Sequence, residues 1–127
     1  MISVSQYVNP MSKVVWNSVK LPRKDKGKGW SVATARTTVF LCQWLWENNY
    51  LFACEVKMKG GELRADIFAP ELYGSQVIEI MDSEGKESLE RKKLAYKKLG
   101  LTCVGVPADF KEAIIILKAE NNIGSVK

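Results

Sequence analysis

From Ser31 to about Asn48 apolar residues recur every three to four positions, at Ala35, Val39, Cys42 and Trp46, with Leu41 and Leu45 widening the stripe. That period predicts an amphipathic helix. Ser31 or Thr34 suits its start, and Asn48-Asn49 suits its end. The period then shortens to two. Phe52 to Lys59 and Glu62 to Ala69 flank Gly60-Gly61, which predicts a tight hairpin with Glu55 opposite Asp66 and Lys57 opposite Arg64. Strand alternation places Glu55, Lys57, Arg64 and Asp66 on one face and Cys54, Val56, Met58, Ala65 and Ile67 on the other. QVIEIM reads as a third strand, with Val77, Glu79 and Met81 on one side.

Ser83 opens a second helical pattern, SEGKESLERKKLAYKKLG, acidic early and basic late as the helix dipole prefers, with Gly100 as its stop. LTCVGVP is almost wholly apolar, as expected of a strand covered on both faces. Asp109 begins a last helix whose Ile114 to Leu117 run should lie against the sheet. Near the N-terminus, MSKVVWNSVKL suits either a short strand or a helix. The expected class is therefore α/β: a hairpin, a third strand and a helical crossover make a mixed sheet flanked by helices. The organisation is a basic segment over residues 1–31, one domain over 32–122, and a frayed tail over 123–127.

Composition narrows the chemistry. An apolar share of 46% and a charged share of 26% describe an ordinary globular domain of 127 residues. No apolar run approaches the ~18 residues of a membrane span. No basic flank precedes an apolar N-terminal segment, so no secretory signal is expected. Three widely spaced cysteines, Cys42, Cys54 and Cys103, lie in apolar stretches and read as buried thiols in a reducing compartment, which points to the cytoplasm. There is no histidine, which excludes Cys/His zinc sites and Ser-His or Cys-His catalysis. A metal would need oxygen ligands, which favours Mg²⁺ or Mn²⁺.

The net charge of +5 lies wholly within residues 1–31, where Lys13, Lys20, Arg23, Lys24, Lys26 and Lys28 face only Asp25. The segment suits contact with an anionic polymer, with Lys20, Arg23, Lys24, Lys26 and Lys28 on phosphates and Trp30 available for stacking; a solvated linker is the plainer reading.

The acids in the strands carry the chemistry. Carboxylates in apolar strands are costly to desolvate unless compensated. Glu55 has Arg64 or Lys57 as ion-pair partners and Asp66 has Arg64, but Glu79 interrupts QVIEIM with no basic neighbour in its own strand. Neighbouring strands sit ~4.8 Å apart, close enough for two carboxylates to share an ion.

The succession RADIFAP, VIEIMDSE, ERKKLAYKKLG and TCVGV, within residues 32–120, resembles the PD-(D/E)XK nuclease superfamily, whose restriction-endonuclease-like core is αβββαβ. It looks most like the small resolvase-like and competence-protein-like members. The resemblance implies a Mg²⁺- or Mn²⁺-dependent DNA endonuclease of recombination, replication or repair. It implies Asp66, Glu79 and the backbone carbonyl of Ile80 as metal ligands, with Glu55 as a third carboxylate or support. It also implies DNA as the partner, and a homodimer for which the aromatic-rich first helix offers a surface. The superfamily usually places Lys two residues after the Glu, and here that residue is Met81. Lys57 is one candidate for the displaced cation; Lys86 or Ser83 are others. The alternatives are a nuclease-like module that binds nucleic acid or assembles without cutting, and a protein-interaction domain.

Overall fold

A computed structural model of the chain describes residues 14–15, 31–58, 63–81 and 85–123. The basic segment from Lys20 to Trp30, the Gly60-Gly61 turn, Ser83 and residues 124–127 lie outside the described residues. The described elements run β1 (Val14–Val15), α1 (Val32–Glu47), β2 (Ala53–Met58), β3 (Arg64–Phe68), β4 (Val77–Met81), α2 (Lys86–Lys98), β5 (Cys103–Pro107) and α3 (Phe110–Glu120). The strands form one mixed sheet in sequence order. β1 to β4 pair antiparallel, and β5 returns parallel to β4 after the α2 crossover. The fold is α/β, with the open choice at Val14–Val15 resolved as an edge strand.

Local signals set the helix ends. Ser31 Oγ accepts from the Thr34 N–H at 3.1 Å, and Asp109 accepts from the Glu112 N–H at 3.2 Å. Gly100 closes α2 at φ 80°, a left-handed position that glycine takes without steric cost. α2 begins at the Gly85 cap with no side-chain bond. Ile123, placed by its sequence in a frayed tail, donates its N–H to the Lys118 carbonyl at 2.8 Å and packs against the core.

Two clusters sandwich the sheet. The first joins Leu41 and Leu45 of α1 and Ala113 and Leu117 of α3 to Ile67, Ile78, Ile80, Val104 and Val106. The second, under α2, joins Tyr96 to Val56, Met58, Ala65, Phe68 and Val77. α1 is rotated from the expected stripe. Thr34, Thr37 and Thr38 bury alongside Leu41 and Leu45, while Val39 is 61% and Trp46 74% exposed. Threonine can face inward here because the Thr38 hydroxyl donates back to the Thr34 carbonyl at 2.8 Å, leaving no unpaired donor. Trp44 packs near Tyr50, so Trp46 is the outward one of the two.

The hairpin register is as the sequence predicts: Ala53 faces Phe68, Cys54 faces Ile67, Val56 faces Ala65 and Lys57 faces Arg64. The assignment of faces is not. Cys54 and Ile67 pack in the first cluster, whereas Val56, Met58 and Ala65 pack in the second. The switch occurs at Glu55 and Asp66, the one facing pair missing from the ladder, where Glu55 adopts φ 52°. A non-glycine residue there costs on the order of 1–3 kcal/mol.

Gly105 pairs with Glu79 across β4 and β5 and lets α2 settle close to the sheet. A Cβ there would meet Leu89 Cδ2 at 2.5 Å and Met81 Cγ at 3.2 Å. Rotation of Leu89 should absorb Gly105→Ala. Gly105→Val should cost about 1–3 kcal/mol by overpacking, read as a lower urea midpoint.

Candidate active site

The site forms where β3 and β4 part. They pair at Ile67–Ile78 and Phe68–Val77. Two residues beyond Ile78, the Ile80 N–H donates to Asp66 Oδ2, at 2.8 Å. The face switch on β3 thus turns Asp66 into the space between strands, where its carboxylate substitutes for a ladder bond.

Glu79 stands beside it on β4, 2% exposed. Lys92 of α2 places Nζ 3.2 Å from Glu79 Oε1, and the Tyr96 hydroxyl reaches Oε2 over a long 3.5 Å. Burial pushes the Glu79 carboxyl up to about 7; the charge of Asp66 adds to this and Lys92 opposes it. The Tyr96 hydroxyl is raised by burial and by Glu79. Cys103 is pushed up to about 12, again by burial first and Glu79 next. On the other side, the Cys54 thiol is lowered by its hydrogen bond with Cys42, against burial and the charges of Glu55 and Asp66. Asp66 therefore acts electrostatically on groups from both faces, as a carboxylate lying in the sheet plane should.

The structure brings together Asp66, Glu79 and the backbone of Ile80. Ile80 meets Asp66 through its N–H, which donates, so this contact orients the carboxylate. Among the described residues no three His, Cys, Asp or Glu side chains converge as a ready-made metal cage, so Glu55 does not complete a three-carboxylate cluster. Lys57 lies between Val56 and Met58, both packed under α2 with Tyr96. By alternation its side chain takes the opposite face from Glu79, because the switch at Glu55 separates it from the acids it was expected to join. The five basic residues expected to grip phosphates lie outside the described residues.

The sequence alone gave neither Lys92 nor Tyr96 a part in the acidic site. Leu89, Lys92 and Tyr96 fall at i, i+3 and i+7, the spacing of an inward helical stripe. A lysine inside that stripe, following a strand with an unpartnered Glu, is the signal that would have paired them.

The chain matches no family model, no curated protein and no solved structure.

Proposed function

We propose that the chain is a Mg²⁺- or Mn²⁺-dependent DNA endonuclease of restriction-endonuclease-like type, with Asp66 and Glu79 as its acidic pair. The observation that carries this is the Asp66 carboxylate held in the gap between β3 and β4 by the Ile80 N–H, beside the buried Glu79. Two carboxylates fit Mg²⁺, which binds through one or two of them and keeps several waters. A buried acid pushed up to about 7 by its surroundings also gains from an added cation. Asp66 and Glu79 would hold the ion, which when bound supplies the charge neutralisation that phosphodiester hydrolysis requires.

Lys92 takes the part that Met81 cannot. Its ammonium, 3.2 Å from Glu79, keeps a positive charge at the acid pair from a helix rather than from β4. There it holds Glu79 oriented and stabilises negative charge developing on a phosphate. The basic segment before residue 32 supplies sequence-independent attraction to the DNA backbone.

One observation favours a second reading. Lys92 already compensates Glu79, so the buried acid has a partner without any metal, as in a module that binds nucleic acid without cutting. Nicking of supercoiled plasmid and branched DNA by the full chain separates the two. Cleavage with Mn²⁺ or Mg²⁺, stopped by chelator, is expected. Lys92→Met should slow it by at least an order of magnitude, and Lys57→Met should leave it nearly unchanged. Cleavage that persists in Lys92→Met removes this role for Lys92. Salt-dependent DNA binding with no cleavage under any metal establishes the second reading.

A further inference from the structure

Cys42 on α1 and Cys54 on β2 bring their sulfurs to 3.1 Å, and both thiols are free and half-buried. A disulfide needs a separation of about 2.0 Å, so a small side-chain rotation divides this pair from a bond. The approach is held by the fold. Leu41 and Leu45, flanking Cys42, pack in the same cluster as Ile67, the cross-strand partner of Cys54. The charge of Asp66 reaches Cys54 from the sheet plane, but the two sulfurs meet each other on the α1 side of the sheet. Cys103 lies in the other cluster, on the α2 side of the sheet.

We infer that Cys42 and Cys54 form a reversible dithiol–disulfide pair that exchanges with a small-molecule disulfide such as glutathione disulfide. One protein thiolate attacks a glutathione sulfur and displaces the first glutathione thiolate, leaving a mixed disulfide. The second protein thiolate attacks the protein sulfur of that bond and displaces the second glutathione. Both protein thiols are oxidised, one glutathione disulfide is reduced to two glutathiones, and the two protons pass to the departing thiolates. The product ties β2 to α1 at the residue before Glu55, where φ is 52°. The pair is independent of the nuclease reading, and its test uses no nucleic acid or metal.

The full chain is equilibrated in glutathione redox buffers, alkylated, digested and read by mass spectrometry. The expected product is an intramolecular species lighter by two hydrogen atoms, with a Cys42–Cys54 linked peptide and an alkylated Cys103. Dithiothreitol should reverse it, and the oxidised chain should melt several degrees higher because the bond closes a loop in the unfolded state. Cys42→Ser and Cys42→Ala should each leave a glutathione adduct on Cys54 in place of the linked peptide. A wild-type chain that keeps that adduct, that links through Cys103, or that forms no linked peptide at any glutathione ratio overturns the inference.

Discussion

Asp66→Asn should lower metal-dependent nicking on the order of 10²–10³-fold while the chain stays folded. The amide keeps an oxygen that can accept from the Ile80 N–H, so the substitute for the ladder bond survives and only the charge is lost. Asp66→Ala removes the acceptor as well. It leaves a backbone donor unpaired in the sheet, at a cost of about 1–3 kcal/mol, so loss of activity there is harder to assign. The asparagine variant carries an internal control. The charge of Asp66 helps hold the Glu79 carboxyl up at about 7, so the Glu79 titration followed by carboxyl NMR should move down in Asp66→Asn. A shifted Glu79 with undiminished nicking would mean that the two acids are coupled but that Asp66 does not serve the chemistry. An unshifted Glu79 would mean the two carboxylates do not act on one another.

Features set by a few neighbouring residues were legible in advance. The caps at Ser31 and Asp109, the stop at Gly100 and the hairpin register around Gly60-Gly61 follow from short-range chemistry that the rest of the fold does not override. The placement of Asp66 and Glu79 on adjacent strands followed from the order of the strand patterns along the chain. What was not legible depends on tertiary context. The rotation of α1 rests on threonines that bury because a backbone carbonyl lies within reach of Thr38, and an apolar-only period does not count them. The face switch between Cys54 and Val56 rests on a positive φ at Glu55, which no residue type there announces. That switch undid the expectation for Lys57, since all residues past it change sides together. Lys92 was hidden for a different reason: its helix is so rich in lysine that one inward-facing member looks like its solvated neighbours.

The same buried acid should make the protein less stable as pH rises. Glu79 has a carboxyl near 4.5 when unfolded and at about 7 when folded. Between those values the folded chain holds a proton that the unfolded chain has released, so unfolding becomes easier with rising pH. The penalty is absent below about 4.5 and complete above about 7, where it amounts to on the order of 3 kcal/mol. The chain has no histidine, so no side chain of ordinary pKa changes its charge between about pH 5 and pH 8 to obscure the trend. Urea midpoints at pH 5 and pH 8 should show wild type weaker at pH 8. Glu79→Gln should flatten the profile and be the more stable chain at pH 8. Losing the Glu79 charge in that variant is tolerable for Lys92, since its side chain is 34% exposed and can turn to water. Adding Mn²⁺ at pH 8 should restore wild type by about 2.7 kcal/mol at a hundredfold excess over its dissociation constant, and should leave Glu79→Gln unmoved. Equal midpoints at both pH values in wild type would show that Glu79 is ionised at no cost throughout. In that case Lys92 alone fully compensates it, and the drive to recruit a cation, on which the nuclease reading leans, is gone.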